Sequence, residues 1–436
     1  MSQQIKNQTS ILEKLGIEKL NAMQEEAMEA IRSSSEIVLL SPTGTGKTLA
    51  FLLPVIAELD SACAEVQVLI VVPSRELALQ IEQVVRQMGT GYKTNAVYGG
   101  RAGSKDKAEI KHRPAILIGT PGRLADHMRR ENFSTQYIST LILDEFDKSL
   151  EIGFENEMMD ILSLLPHVGK KILTSATQEA SIPAFAGLKD PVYLDYLHEG
   201  SSQLTIKTIL ASSHDKLETL AHLLKQLGNQ PGIIFCNFKE TIREVSDYLL
   251  DQNIRHGCFY GGMEQKDRER VLIKFRNGTH QLIVATDLAA RGIDIPQIKF
   301  IVHYQLPMRS HEFTHRNGRT ARMFSDGTAY VLKGRNEELP GYMENTEVEK
   351  ISPTVCEEAI SWETIFVSGG RKDKISKGDI AGLFMKQGKL SLEQIGAIEL
   401  KVDCAFVAVH ASQVNQLIQL TDNSRLKNKK VRVSVV

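Results

Sequence analysis

Short β-branched runs recur along this chain, each followed by a loop and a stretch patterned for a helix: EIVLL (36–40), VQVLIVV (66–72), AILIG (115–119), TLIL (140–143) and KIL (171–173). Runs this apolar need cover on both faces, and the intervening helices supply it, so the alternation predicts a parallel sheet flanked by helices. The pattern pauses at HEGSSQLTI (198–206), read as a linker. It restarts with KTILA (207–211), GIIFC (232–236), LIVAT (282–286), FIVHY (300–304) and GTAYVL (327–332). Two α/β lobes in tandem follow, over 1–200 and 207–340, alike in pattern without a visible sequence repeat. An acidic stretch punctuated by Pro and Gly, RNEELPGYMENTEVEKISP, then leads to a third unit over 362–436. There TIFVSGG, a helix over 377–386, IGAIEL, CAFVAVHA, a helix over 412–420 and KVRVSVV give the order βαββαβ. That order is a small α+β sandwich of the ferredoxin-like or RRM-like kind.

A chain of 436 residues exceeds one ordinary core, in keeping with several domains. The first ten residues, MSQQIKNQTS, are polar and lack the apolar core of a signal peptide. The longest apolar runs, such as VLIVV (68–72), are too short to span a bilayer, so no membrane partner is expected. Five cysteines, odd in number and never at CxxC spacing, argue against a zinc site or a disulfide framework and for a reduced cytoplasm. The net charge of −1 hides an asymmetry: 12 Lys and Arg face 7 Asp and Glu from Trp362 onward, against 40 and 46 before it. A basic tail on an acidic body suits a polyanion partner or a solvated basic face, and charge alone leaves both open.

Between EIVLL and the helix starting near Thr48 lies SPTGTGKT (41–48). A glycine-rich strand-to-helix turn lets backbone N–H groups close on phosphates at the positive end of a helix. Ser41, Pro42, Thr43, Gly44, Thr45 and Gly46 would form that loop, Lys47 would reach the β- and γ-phosphates, and Thr48 would meet Mg²⁺. The strict motif has glycine at position 41, where this chain has serine. A second strand, LIL (141–143), runs straight into Asp144, Glu145, Phe146 and Asp147. Alone, an Asp-Glu pair reads as an acidic helix start. Beside a phosphate loop it reads as a carboxylate for the metal, Asp144, and a group that orients the attacking water, Glu145.

These motifs and others in fixed order resemble the DEAD-box RNA helicases, with the match running from Gly16 to Arg322. It covers SPTGTGKT, PSRELA (73–78), Gly99-Gly100, TPGR (120–123), DEFD (144–147), SAT (175–177), ATDLAARGID (285–294) and HRNGRTAR (315–322). The resemblance implies two RecA-like lobes, ATP and Mg²⁺ as cofactors, and RNA as partner. It assigns Arg75, Gly100, Thr120, Arg123, Gln265, Arg268 and Thr286 to the RNA backbone. Ser74 and Thr120 read as helix caps, with Pro121 in the first turn, and either segment alone is equally a well-capped helix. Arg316, Arg319 and Arg322 are spaced to put two guanidinium groups on one helical face. The resemblance gives Arg319 and Arg322 the arginine-finger role and has Asp294 contact the ribose. Ser175 and Thr177 contact Asp147, which also meets His315, coupling hydrolysis to RNA. Closure of the two lobes would assemble the nucleotide site.

Two departures stand out. The adenine-reading segment, GIEKLNAMQ (16–24), keeps Gln24 but has Leu20 and Asn21 in place of Pro and Thr, and residues 1–50 contain no aromatic. Position 146, usually alanine, is phenylalanine; with no polar role there, its ring is expected to pack into the lobe. The tail resembles the RNA-binding domain of DbpA-type bacterial helicases, which implies large-subunit ribosomal RNA and pre-ribosomal particles as targets. Its expected contacts are Arg371, Lys372, Lys374 and Lys377, with Lys427, Lys429, Lys430 and Arg432. Phe366, Val402, Cys404 and Phe406 are expected on its exposed sheet, where the two aromatics stack bases or simply pack. The resulting expectation is a monomeric, cytoplasmic, ATP-dependent RNA helicase; alternatives are an ATP-gated RNA clamp without productive unwinding and a DNA translocase.

Overall fold

Alternate residues of the first strand, Glu36–Leu40 (β1), point into two different cores. Ile37 and Leu39 join the cluster on one face of the sheet, Val38 and Leu40 the cluster on the other. A strand buried on both faces needs no polar alternation, which is why EIVLL is apolar throughout. Six more strands follow, Val68–Val71 (β2), Thr94–Val97 (β3), Ile116–Gly119 (β4), Thr140–Leu143 (β5), Lys170–Ser175 (β6) and Val192–Asp195 (β7). They form one seven-stranded sheet in the order β3-β4-β2-β5-β6-β1-β7. Every pairing is parallel. The register sets Val71 beside Gly119 and Leu143, and Leu40 beside Ser175, so the loops that leave these strands emerge along one edge.

The computed structural model describes residues 8–42, 44–100, 102–177, 182–197, 204–211, 215–287, 298–320, 326–335, 337–343, 347–351 and 361–436. A second unit begins after residue 202. Its strands are Leu204–Leu210 (β8), Gly232–Phe235 (β9), Gly257–Phe259 (β10), Leu282–Ala285 (β11), Phe300–His303 (β12), Gly327–Lys333 (β13) and Glu347–Glu349 (β14). Their order, β10-β11-β9-β12-β13-β8-β14, repeats that of the first sheet strand for strand. Both are RecA-like lobes. The second sheet is wider than the expected 207–340: β8 starts inside the segment read as a linker, and β14 pairs with β8 from within the acidic stretch.

The tail contains Trp362–Val367 (β15), the helix Lys377–Lys386, Ile395–Leu400 (β16), Ala405–His410 (β17) and the helix Val414–Thr421. A small hairpin, Arg425–Leu426 (β18) with Lys429–Lys430 (β19), precedes Val433–Val435 (β20). The antiparallel sheet runs β16-β17-β15-β20, the α+β sandwich expected from the sequence. Ile365, Val367, Val407 and Val409 face its helices. Among the described residues no helix is long and apolar enough to cross a membrane.

Candidate active site and nucleic-acid interface

The helix Lys47–Ala57 starts directly after β1, and its N-cap is Gly46 at φ +88°. The positive φ is what calls for glycine, and a Cβ there, 2.4 Å from Nε2 of Gln24, would also displace that amide. Among the described residues no side chain caps this helix, leaving its first turn as a place where an anion fits. Gln24 sits at the third position of the helix Ala22–Ser33 and forms a capping box with Asn21. Nδ2 of Asn21 donates to the Thr45 carbonyl (3.1 Å) and Nε2 of Gln24 to the Gly46 carbonyl (3.3 Å). Asn21, noted in the sequence only as a departure, therefore does work that asparagine and threonine share as caps, and ties this helix to the loop.

Lys47 is buried, and its ammonium donates to the carbonyls of Ser41 and Pro42. The Ser41 and Thr45 hydroxyls lie 2.7 Å apart and brace the loop, which explains why serine serves at position 41. Burial pulls the Lys47 pKa down to about 8, with Asp144 and Glu145 opposing. Burial first, and then the charge of Glu145, push Asp144 up to about 6, although Thr174 donates to its Oδ1 at 2.5 Å. The same Thr174 oxygen accepts from the Glu145 backbone N–H (3.1 Å). Thr174 lies on β6 one residue before SAT, and the sequence offered no sign of it beyond that neighbour.

Glu145 adopts φ +50°, a left-handed conformation that costs a non-glycine residue about 1–3 kcal/mol and clusters at functional sites. Its carboxylate is 2.8 Å from the ammonium of Lys148, which is fully buried and was not anticipated. Phe146 is 3% exposed and packs in the core with Leu143 and Ile161, as expected for a ring turned into the lobe. Thr177 donates to Asp147 at 3.2 Å. Ser175 departs from expectation: its hydroxyl donates to the Thr177 carbonyl (2.7 Å) and shapes the turn instead.

The four first-lobe residues assigned to the RNA backbone, Arg75, Gly100, Thr120 and Arg123, lie at the other half of the same sheet edge, after β2, β3 and β4. Gly100, at φ +81°, lies so close to Arg75 that a Cβ would stand 2.5 Å from its Nη1. Ser74 caps the helix Arg75–Met88 by accepting from the Leu77 N–H. Thr120 occupies the N-cap of the helix Pro121–Arg129, yet its side chain makes no capping bond, contrary to expectation. Arg123 is oriented by Asp106, a buried carboxylate at 2.7 Å that also lies 3.4 Å from His127. Asp106 is distant in sequence from TPGR, so only the fold reveals the pair.

In the second lobe Gln265 opens the helix Gln265–Arg276, and Arg268 lies over the ring of Phe259, 4.5 Å from its centroid. Thr286 follows β11, its N–H on the Phe259 carbonyl. The helix Ser310–Asn317 carries His315 and ends before Arg319, so a shared helical face with Arg316 does not hold. Arg316 is buried against Asp287 (2.5 Å), Asn237 (2.7 Å) and the Gln305 carbonyl (2.6 Å) and braces the lobe. Thr43, Asp294 and Arg322 lie outside the described residues.

In the tail the loop 371–377 and the β18–β19 hairpin come together: Lys427 donates to the Lys374 carbonyl (2.5 Å) and Lys429 pairs with Asp373 (2.8 Å). Lys427 also pairs with Asp379, and Arg371 donates to the Leu400 carbonyl. Lys372, Lys374, Lys377 and Lys430 are exposed along this edge. Val402 and Cys404 precede β17 rather than lying on it, and Phe406 is buried beside Phe366 at a centroid distance of 5.8 Å.

Residues 21–184 match the DEAD/DEAH box helicase family, residues 215–324 the helicase conserved C-terminal domain, and residues 364–435 the DbpA RNA binding domain. The chain belongs to the DEAD-box family of ATP-dependent RNA helicases and is an RNA-stimulated ATPase of that class. Over 443 residues it is 28% identical to the ATP-dependent RNA helicase DbpA of Escherichia coli (strain K12), covering 98% of this chain and 97% of the relative. Eukaryotic initiation factor 4A of Drosophila melanogaster is 32% identical over 323 residues, 72% of this chain and 80% of that one. Among solved structures, S. cerevisiae Dbp5 bound to RNA and ADP BeF3 superposes with a TM-score of 0.67 at 25% identity, over 75% of this chain and 88% of that one.

Proposed function

We propose that this helicase remodels large-subunit ribosomal RNA in pre-ribosomal particles of the cytoplasm, as a monomer, with the tail selecting the RNA. The observation that carries this reading is the tail's basic edge, where two segments far apart in sequence bring exposed lysines together while Phe406 of the sheet is buried. In this proposal the uncapped helix end at Gly46 and Lys47 hold the ATP phosphates. Thr48 and Asp144 hold Mg²⁺, whose charge offsets that of the phosphates. The hydroxyl of Thr48, in the first turn of the helix after β1, and the carboxylate of Asp144, after β5 on the same sheet edge, are a donor set that suits it. Glu145, set by its strained backbone and by Lys148, orients the attacking water. Arg319 and Arg322 neutralise charge that develops on the transferred phosphoryl group, and Asp147 with Thr177 relays the state of the site.

ATPase rates of the full chain with large-subunit ribosomal RNA fragments and with homopolymer RNA test this reading. Preferential stimulation by one ribosomal fragment is expected, and Lys372→Glu/Lys374→Glu/Lys377→Glu should abolish the preference while homopolymer stimulation persists. Equal stimulation by both RNAs in the unmodified protein would remove ribosomal RNA as the target.

A further inference from the structure

The helix Pro121–Arg129 ends in a turn that comes back to the ring of His127. The Glu131 N–H bonds to the Met128 carbonyl and the Asn132 N–H to the His127 carbonyl, with Glu131 at φ +50°. That is a Schellman ending, with glutamate where glycine is usual. Asn132 then returns a second time, its Nδ2 donating to Nδ1 of His127 at 2.8 Å. A ring nitrogen that accepts carries no proton, so the proton of the neutral ring is on Nε2. Nε2 faces Oδ2 of Asp106 at 3.4 Å. With the amide turned over, two acceptors would meet across that gap. Burial holds the His127 pKa below its ordinary value, with Asp106 opposing and Arg123 reinforcing, which keeps the ring neutral. Asp106, itself fully buried, puts the same oxygen on Nε of Arg123 at 2.7 Å. The Arg123 guanidinium lies over Gly103, where a Cβ would stand 3.1 Å from Nη2.

We propose that His127 and Asn132 are positioning residues for RNA: acting through Asp106, they fix the plane of the Arg123 guanidinium and so set RNA affinity without touching RNA. A phosphate is best held by two parallel N–H bonds, which need the guanidinium in one orientation. Arginine has many rotamers, and ordering it on binding weakens affinity, whereas a side chain already ordered avoids that loss. The bond from Nε to a carboxylate that is itself held defines the orientation. The Nε2–H of His127 gives that carboxylate a further fixed donor, and Asn132 fixes the ring that carries it. A purely structural role, in which the chain only joins the helices Gly103–Ile110 and Pro121–Arg129, predicts lost stability with no specific loss for RNA. The effect on RNA rests on the reading of Arg123 as an RNA-backbone contact.

ATPase of the full chain stimulated by oligouridylate RNA yields the RNA concentration for half-maximal rate and the turnover at saturation. Arg123→Ala should raise the first. It should also lower the slope of log affinity against log salt by about 0.7, the loss of one phosphate contact on a single strand. His127→Leu should raise the half-maximal RNA concentration by about fivefold and leave turnover at saturating RNA within about twofold of wild type. His127→Gln, whose amide can still donate to Asp106, should restore most of the affinity. In the Arg123→Ala background His127→Leu should add nothing, because the two act through one contact. Should circular dichroism show His127→Leu misfolded, Asn132→Ala, at the half-buried end of the chain of bonds, decides instead. Its rise of about twofold to threefold should likewise vanish in the Arg123→Ala background. Weakened RNA binding in Arg123→Ala with wild-type affinity in folded His127→Leu would overturn the positioning alone. So would losses that simply add in the double variant. Unchanged RNA affinity in Arg123→Ala would overturn the positioning and the RNA role of Arg123 together.

Discussion

The two lobes share one strand order and use it in opposite ways. After β1 the first lobe places Gly46 and an uncapped helix, whereas after β8 the second places the helix Lys216–Leu227 under the carboxylate of Asp215, which accepts from the Leu217 and Glu218 N–H groups. The corresponding helix end is thus open to phosphate in one lobe and already occupied by an anion in the other. After β5 stand Asp144 and Glu145; after β12 stand Tyr304 and Gln305, the latter joined to Arg316 and Asn237. Topology supplies the sheet edge, and a few residues at strand ends decide whether it does chemistry or holds itself together.

The sharpest way to test that division is Arg319→Ala, which should leave ATP binding intact and lower turnover by about 10³-fold or more if the second lobe serves the chemistry only through its arginines. Near-normal turnover in single-turnover assays would sink that assignment. Next comes Phe146→Ala. Emptying this core position should cost about 3 kcal/mol or more in urea unfolding of the first lobe, yet change ATPase by less than about tenfold. A larger gain in ATPase would mean the ring obstructs the site.

Acid should separate the lobes. Burial, with Arg316 beside it, depresses His303 to about 3, and burial depresses His280 to about 4. Below the ordinary histidine pKa the unfolded chain therefore binds protons that the folded lobe refuses. The second lobe's stability is complete above about pH 6.5 and falls as pH drops, by about 1.4 kcal/mol per pH unit for each such group. Asp144 has the opposite sign: its raised pKa means that, without metal, the folded first lobe takes up its proton first and gains stability as pH falls below about 6. Urea unfolding at several pH values should show a pH slope that His303→Gln flattens. An unchanged slope in that variant would show that His303 is not responsible. The smallest effect is expected from Asp215→Ala, about 1 kcal/mol of stability with no change in the Michaelis constant for ATP.

Most of the parallel scaffold was legible because doubly buried strands such as EIVLL and TLIL must be apolar, and the loop SPTGTGKT announces its own backbone. Harder to read were TNAV (β3), VYLD (β7) and EVE (β14). They are short edge or near-edge strands, whose residues are chosen by pairing partners rather than by burial on two faces. Within the site, the sequence placed Lys47, Asp144, Glu145 and Phe146, because each is adjacent to the strand that carries it. Thr174 and Asp106 were invisible, since their partners lie on other elements, and Lys148, only three residues from Glu145, because no local pattern marks its burial.

By itself the sequence determined the two repeated lobes, the phosphate loop, the acidic strand end and the small basic tail, all of which follow from periodicity, turn chemistry and local charge. Only the tertiary structure decided that Asp106 orients Arg123, that Ser175 turns away from Asp147, and that the tail's outer sheet face is covered by the second lobe. Asp106 and Arg123 are 17 positions apart, and Asn277 and Thr364, which bond across that covered face, are 87 apart. Local pattern carries no information about which distant side chain will arrive, because that is set by how whole elements pack.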